Sequence, residues 1–263
     1  MRISKLSVGA AVVVAAVSFA GSALAQDAEA SGEVGMTLPG AGGGPKAQGT
    51  AGESDHEAMI GHFAVGYMGR FQIPLAGGGP PGPPPIQYVS APAVGMRYWL
   101  DQGMGIDIGL GLLSTGGSDS YNNGNQTVTN DEAGINAGLL HAGLPLALAS
   151  SKHFTFLLVP EANVGFAQRT QEAGGTKLEQ SGLGIDLGAR AGAEIHFGFM
   201  GIPQLSLQGG IGVLFRMDSV KYTYTQPNSP EQTGETKHNE FTTTVNGNPW
   251  DIFQGNIAAL YYF

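Results

Sequence analysis

The sequence predicts an all-β fold, an eight-stranded antiparallel up-and-down β-barrel of the kind that spans a membrane. Three observations predict it: eight runs that alternate apolar with small or polar residues, connections that alternate between long and short, and an aromatic end at Tyr261-Tyr262-Phe263. Alternation with period two is typical of strands whose two faces meet different environments. Aromatic rings are favoured where lipid meets water, so we expect the last strand to end at that interface.

The first 25 residues have the pattern of a cleaved signal peptide. Arg2 and Lys5 precede an apolar stretch of mostly small residues, and an Ala-x-Ala site at residues 23–25 comes directly before Gln26. This is the order of segments in secretory signals. The apolar stretch is shorter than the about 20 residues that a membrane helix needs. We therefore expect residues 1–25 to be removed on export.

Residues 26–56 are predicted to be a disordered tether. Gly, Ala, Pro and Ser dominate from Ser31 to Gly52, with Gly-Ala-Gly-Gly-Gly-Pro at residues 40–45. Such a composition buries too little apolar area to offset the entropy of ordering. The barrel is therefore expected to occupy residues 57–263.

The composition excludes several classes of protein. The net charge of -9 becomes more negative once Arg2 and Lys5 are removed, which argues against a nucleic-acid partner. The chain has no cysteine, so it has neither disulfides nor thiolate metal sites. No mature segment has the apolar length of a membrane helix, so a spanning structure would have to be a closed barrel.

The eight runs each have a continuous apolar face and are long enough for tilted strands to cross or nearly cross a bilayer. They cover, in order, residues 62–73, 92–101, 105–112, 138–148, 154–166, 183–197, 204–216 and 253–263. Their apolar faces are typified by Phe63-Val65-Tyr67-Phe71-Ile73, Val94-Met96-Tyr98, Ile106-Ile108-Leu110, Leu140-Ala142-Leu144, Phe154-Phe156-Leu158, Leu183-Ile185-Leu187, Ile211-Val213-Phe215 and Ile257-Ala259-Tyr261.

Two of these runs contain irregular features. The fourth is the weakest, and its pattern puts His141 inside the barrel, although a bulge could reverse its upper half. Pro145 and Pro160 fall within the fourth and fifth runs. A closed barrel has no free edge at which a missing N–H donor is harmless, so Pro160 requires a bulge or a similar break.

The connections favour a membrane barrel. The long ones lie at residues 76–85, 114–130, 168–181 and 218–249, and the short ones at 102–103, 150–152 and 198–203. In an up-and-down barrel this order puts every long loop at one rim and every short turn at the other, as in bacterial outer-membrane barrels. Period two alone is equally compatible with a secreted, soluble, lipocalin-like barrel, whose apolar face would point inward.

The small and polar face carries balanced charge. Four arginines and four carboxylates are expected inside the barrel: Arg70, Arg97, Arg190, Arg216, Asp107, Glu161, Asp186 and Glu194. The short turn at residues 102–103 should set Arg97 nearly opposite Asp107, and Glu161 and Arg190 form a second candidate pair. Because unpaired buried charge is costly, we expect these groups to cross-link and close the lumen.

The chain resembles the small eight-stranded outer-membrane barrels of the OmpA/OmpX type. The resemblance covers about residues 57–263 and rests on strand count, loop alternation, the Tyr261-x-Phe263 end and runs such as Val94-Gly95-Met96-Arg97-Tyr98-Trp99. It implies the outer membrane of a Gram-negative-type bacterium, contact with its lipid, periplasmic termini and a monomer. It also implies that Tyr261 and Phe263 form a signal for the barrel-assembly machinery. The sequence ends with the barrel, so we expect no peptidoglycan-binding domain.

The sequence offers no catalytic, cofactor-binding or metal-binding constellation. Its six histidines have neither i, i+4 nor His-x-His spacing, and no glycine-rich stretch precedes Lys-Ser or Lys-Thr. We therefore expect a non-enzymatic protein with a structural, adhesive or surface-binding role. The alternatives are a narrow pore for small solutes, a lipid-modifying outer-membrane enzyme and the soluble barrel named above.

Any extracellular ligand is expected to bind the long loops. The connection 218–249 is the best candidate, because aromatic residues on a polar loop are typical of recognition surfaces. Its candidate contact residues, with one residue just beyond it, are Tyr222, Tyr224, Phe241 and Trp250. The alternative is that some of them extend the seventh and eighth strands above the membrane.

Overall fold

A computed structural model of the chain describes residues 54–122, 124, 126–245 and 256–263. Within these residues the chain forms ten strands and two short 3-10 helices. The strands are β1 (Phe63–Ala76), β2 (Ile86–Trp99), β3 (Gly105–Asn122), β4 (Thr127–Gly143), β5 (Leu146–Ser150), β6 (Phe154–Ala173), β7 (Thr176–Phe197), β8 (Ile202–Thr225), β9 (Gln232–Thr243) and β10 (Ile257–Tyr262). The 3-10 helices are Glu57–Met59 and Gly198–Met200. None of the helices in this described part is long and apolar enough to cross a membrane.

The strands form one antiparallel sheet that closes into a ring of eight. The ring runs β1-β2-β3-β4-β6-β7-β8-β10, and β10 pairs back with β1. β5 follows β4 along β6, and β9 pairs with β8 beyond the end of β10. The predicted all-β fold and antiparallel ring of eight strands are therefore confirmed.

The two ends of the ring differ. The short turns between β2 and β3, β5 and β6, and β7 and β8 lie at one end, which also holds the described residues before β1 and the end of β10. We call this the short-turn end, and the opposite one the hairpin end. At the hairpin end, three of the four expected long loops consist largely of paired strands.

These ladders correct the boundaries expected from sequence. β6 and β7 pair without interruption to a two-residue turn at Gly174 and Gly175, whose φ angles of 58° and 81° suit glycine. The expected loop 168–181 is therefore mostly strand. The segment 114–130 and the first part of 218–249 are likewise largely paired, because their Thr, Tyr and Val residues favour extended backbone.

A bulge at Met68 reverses the inside and outside of β1. The register with β2 shifts between Tyr67 and Gly69, so one extra residue enters β1. Phe71 and Ile73, expected to face outward with Phe63, are instead buried, at 8% and 0% exposure. Gly69 adopts a φ of 117°, which an L side chain rarely adopts, so glycine fits the bend.

Beyond this bulge, the β1–β2 hairpin leaves the wall and packs inside the ring. Residues 73–77 are buried without alternation, which means that both faces of the strand are covered. β2 pairs with β3 only from Ala93 to Trp99, while β1 packs against β6, β7 and β8. Gly182 of β7 lies so close to Pro74 that an added Cβ would overlap its carbonyl oxygen. We call residues 70–92 the inward hairpin.

The tip of the inward hairpin is held by side chains of the opposite wall. The Gln180 amide donates to the Gly78 carbonyl oxygen at 2.6 Å, and the Tyr222 hydroxyl donates to that of Gly82 at 3.0 Å. The Thr236 hydroxyl donates to the Pro84 carbonyl oxygen at 2.8 Å. Since three strands contribute, the hairpin tip is fixed across the lumen.

The two prolines share one break in the wall. Pro145 lies between β4 and β5, and the Leu144 amide donates to the Pro160 carbonyl oxygen at 2.9 Å. In an antiparallel strand the N and O of one residue face the same neighbour. Pro160 therefore lacks its N–H donor at the point where β4 and β5 separate. No regular ladder requires a hydrogen bond at this point.

The orientation of β4 agrees with the prediction. His141 is buried and Leu140 is 53% exposed, so the predicted inner and outer faces of this run are confirmed.

The outer surface carries an apolar belt around the ring. Large hydrophobic side chains alternate outward on most strands, led by Leu112 at 80% exposure and Leu110 at 60%. Other members are Phe63, Val94, Met96, Ile108, Leu140, Phe154, Phe166, Leu183, Leu187, Ile211, Val213, Phe215 and Phe241. The inner face of the same strands holds Arg97 and Glu194 at 1% and 0% exposure.

Candidate functional site

A cluster of buried polar groups crosses the lumen near the short-turn end. Arg97 donates from Nε and Nη2 to the two carboxylate oxygens of Asp107, both at 2.7 Å, and from Nη1 to Glu194 at 2.9 Å. The β2–β3 ladder pairs Arg97 directly with Asp107, as the short turn predicts. The bidentate fork matches the geometry that a guanidinium offers to a carboxylate.

Glu194 is satisfied on both oxygens. Its Oε1 accepts hydrogen bonds from the Ser206 hydroxyl at 2.5 Å and the Tyr262 hydroxyl at 2.9 Å. Trp99 Nε1 in turn donates to the Tyr262 hydroxyl at 3.0 Å. We call Arg97, Trp99, Asp107, Glu194, Ser206 and Tyr262 the basal cluster. Its groups come from five strands, so it ties the ring together across its interior.

The residues before β1 cap the basal cluster at the short-turn end. His56 is 1% exposed, and its ring meets Trp99 edge-on with 4.4 Å between centroids. His56 Nε2 lies 3.0 Å from the Gln102 carbonyl oxygen, and Asp55 pairs with His153 at 2.7 Å. Burial lowers the pKa of His56. Residues 54–56 are therefore packed, although they lie within the range predicted as tether.

Two further ion pairs lie at mid-height. Arg190 pairs with Glu161, the second pair expected from sequence. Arg216 donates from Nε and Nη2 to Asp186 at 2.8 and 3.0 Å, directly across the β7–β8 ladder. All four lumen carboxylates predicted from sequence are thus paired, and Arg97 holds two of them.

Arg70 is the exception among the eight predicted lumen charges. It is exposed, and it has no hydrogen-bond or ion-pair partner within the described residues. It lines a cavity of about 180 Å³ together with Glu161, Asp186, Arg190 and Arg216. The cavity lining therefore has three arginines for two carboxylates, whereas the basal cluster has one arginine for two carboxylates.

The residues expected to contact a ligand on the connection 218–249 do not lie together on an exposed loop in the described part of the chain. Tyr222 is only 3% exposed because it lies under the inward hairpin, and Tyr224 is partly buried beside it. Neither is a free surface group. Phe241 is 72% exposed opposite Phe215, in the apolar belt rather than on a loop. Trp250 lies outside the described residues.

Tyr261 and Phe263 face outward at the short-turn end. They are 45% and 62% exposed, with their rings 5.4 Å apart, while Tyr262 between them is buried in the basal cluster. The alternation expected for the last strand therefore holds for its described residues.

Sequence reasoning missed several lumen groups. Tyr262, Trp99 and Ser206 lie on the predicted inner face of their strands, so the period-two alternation indicates that they face the lumen. Asp218, which the sequence places in the connection 218–249, is buried and accepts a hydrogen bond from the Tyr88 hydroxyl at 2.6 Å. The alternation of apolar and polar residues does not indicate that the inward hairpin packs inside the ring.

The described part of the chain contains no group of three or more His, Cys, Asp or Glu residues that could hold a metal ion.

Comparison with known proteins does not assign the chain to a family. No protein-family model matches this sequence, and no curated protein matches it either. The resemblance to the OmpA/OmpX type therefore stays a prediction.

Proposed function

We propose that this protein is a closed outer-membrane barrel with a structural or surface-binding role and no catalytic activity. The observation that carries the proposal is the inverted distribution of side chains. The apolar belt is exposed on the outside, whereas the ion pairs of Arg97, Arg190 and Arg216 lie inside. In water such a belt would be an unusually large apolar surface, but in a bilayer it meets hydrocarbon.

The same distribution argues against the soluble barrel. A lipocalin-like protein would keep Leu110 and Leu112 inside and its charges outside. Here the reverse holds, and the polar groups inside are paired as a narrow lumen requires. The proposed location is the outer membrane of a Gram-negative-type bacterium, with the short-turn end on the periplasmic side.

A closed lumen fits the geometry better than a narrow pore. The basal cluster crosses the lumen near one end, and the inward hairpin crosses it towards the other. Solute passing through would have to displace both the buried Arg97–Glu194 contact and the packed segment 73–77. Breaking a buried ion pair typically costs about 3–5 kcal/mol, so spontaneous opening is rare.

The hairpin end provides the surface for any binding role. β6–β7 and β8–β9 continue beyond the apolar belt as polar ladders with exposed charges such as Lys177, Glu179 and Lys237. These ladders are regular and paired, so they present a preorganised surface rather than flexible loops. An extracellular partner would contact them without opening the barrel.

The test is to fold the mature chain into phospholipid vesicles and compare boiled with unboiled samples by electrophoresis. A membrane barrel migrates differently before and after boiling, and its strands resist protease while in the vesicle. Folding in detergent-free buffer to a monodisperse monomer would support the soluble barrel instead.

Conductance separates the closed barrel from the pore. We expect planar bilayers containing the wild-type protein to show at most rare, small opening events. Steady ion conductance that persists in most inserted molecules would contradict the closed-lumen proposal while leaving the membrane location intact.

A further inference from the structure

We propose that the mid-height cavity is a binding site for a small anionic group, a carboxylate or phosphate, held by Arg70 and Arg190. Only the route by which a lipid-borne anion would enter rests on the membrane proposal. The binding chemistry rests on the cavity itself.

The first step is the charge of the cavity. Its lining includes three arginines and two carboxylates, and each carboxylate is already paired: Glu161 with Arg190 and Asp186 with Arg216. Arg70 supplies the third positive charge and has no ion-pair partner within the described residues. The lining therefore carries one uncompensated positive charge, which suits one anion.

The second step is a buried guanidinium in the cavity lining. Arg190 is 8% exposed and pairs with Glu161 through Nη2, but its Nε has no hydrogen-bond partner in the described part of the chain. A buried N–H without a partner is costly, and such groups in native structures call for an explanation. Arg190 is part of the cavity lining, so its positive charge would attract an anion bound there.

Further groups of the lining suit the same ligand. Thr244 Oγ1 accepts a hydrogen bond from the Gly212 amide at 2.9 Å, which leaves its O–H proton for another acceptor. Leu214 and Phe71 give the cavity an apolar side. A volume of about 180 Å³ corresponds to roughly six water molecules, enough for a headgroup and its first methylene groups.

The apolar belt lies beside the cavity. Within the described residues, the β1–β10 ladder ends at Tyr67 and Ala259, and β9 pairs with β8 alone. The edges of β1 and β9 therefore have no ladder joining them in this part of the structure. Phe241 and Val213 of the apolar belt lie at the same level, so the acyl chain of a bound lipid anion would meet an apolar surface there.

The test uses the protein labelled with nitrogen-15 in arginine and folded in micelles of a zwitterionic detergent. The Arg190 Nε–H resonance is assigned by its loss in Arg190→Lys, which keeps the charge beside Glu161. Five probes are titrated: dodecanoate, dodecyl phosphate, dodecanol, acetate and inorganic phosphate. We expect a saturable shift of the Arg190 resonance with the two dodecyl anions and none with dodecanol.

The short anions identify the source of the ligand. If acetate or phosphate binds as tightly as its dodecyl counterpart, the anion site stands and the ligand comes from solution rather than from lipid. If none of the five probes moves the Arg190 resonance, or if dodecanol moves it as strongly as the anions, the proposal is overturned.

Two variants test the named residues. Arg70→Gln should weaken binding of the dodecyl anions at least about tenfold, because a hydrogen bond to a charged group is lost. The matched control is Arg169→Gln, whose guanidinium bonds to Gln180 outside the cavity lining and whose loss should leave affinity unchanged. Leu214→Trp should fill the cavity and abolish binding. Equal affinities of wild type and Arg70→Gln would count against the site even if the anions bind elsewhere.

Discussion

Arg97 and Glu194 meet across the full width of the ring. They lie on β2 and β7, which are four positions apart in the ring of eight, yet Nη1 and Oε2 are 2.9 Å apart. Arg97 also binds Asp107 on the neighbouring strand, so one guanidinium holds two buried carboxylates. Removing it would leave both carboxylates without their cation.

The first prediction is that Arg97→Met destabilises the barrel by about 3–5 kcal/mol, since a buried ion pair broken on one side leaves uncompensated charge. The measurement is urea unfolding in lipid vesicles, followed by the gel shift of folded protein. Arg70→Met is the matched control, because Arg70 is exposed and has no ion-pair partner within the described residues. The free energy of unfolding of Arg70→Met should differ from that of the wild type by no more than about 0.5 kcal/mol. Equal losses in the two variants would show that the cross-lumen contact contributes nothing specific.

Period two in the sequence assigned most side chains to the correct face. It placed His141 inside and Leu140 outside even in the weakest run, and the short turn predicted the Arg97–Asp107 pair. Contacts between neighbours in the ring depend on turn length and register, which the sequence displays. The Arg97–Glu194 contact depends on how the closed ring brings opposite strands together, which no local pattern encodes.

The inward hairpin shows a second limit. One inserted residue at Met68 reverses the alternation of β1, so a strict period of two places Phe71 and Ile73 on the outer face although they are buried. A bulge changes parity without changing composition, and Gly66 and Gly69 are equally plausible sites for it from sequence alone. The strand ends also differ from the prediction, because polar residues can continue a ladder as readily as form a loop.

The second prediction concerns the apolar belt. Leu110 is 60% exposed in the middle of the outward face of β3, so Leu110→Arg should destabilise the protein in vesicles by about 2–4 kcal/mol. Ser118→Arg, farther along β3 where the outer surface is polar, should change stability little. Urea unfolding in vesicles measures both. If Leu110→Arg is tolerated as well as Ser118→Arg, the belt does not contact hydrocarbon.

The third prediction is a pH dependence of the cap at the short-turn end. Burial lowers the pKa of His56 below its usual 6.5. The His56 ring therefore binds a proton less readily when the segment before β1 is packed than when that segment is released into water. Packing is then most stable above about pH 6.5 and weakens as the pH falls through that value towards the lowered pKa. Hydrogen exchange of the amides from Glu57 to Gly61, compared at pH 7.5 and 5.0, should show faster exchange in acid after correction for the intrinsic rate.

A matched variant isolates His56 from other acid effects. His56→Phe keeps an aromatic ring against Trp99 but cannot be protonated, so its exchange should be nearly the same at both pH values. A pH effect of equal size in His56→Phe would assign the change to another group, such as the Asp55–His153 pair.

The last prediction concerns the docking of the inward hairpin. A side chain at Gly182 would overlap the carbonyl oxygen of Pro74, so Gly182→Val should force the hairpin away from β7. Tyr222, which is 3% exposed under the hairpin tip, would then become accessible to water. Fluorine resonances of protein labelled with fluorotyrosine, recorded with a water-soluble relaxation agent, report this, and Tyr222→Phe assigns the signal. Gly209→Val is the control, because a Cβ at that position of β8 meets nothing within 4 Å. Unchanged protection of Tyr222 in Gly182→Val would mean that the hairpin tip is held by its hydrogen bonds to Gln180, Tyr222 and Thr236 regardless of the close approach at Pro74.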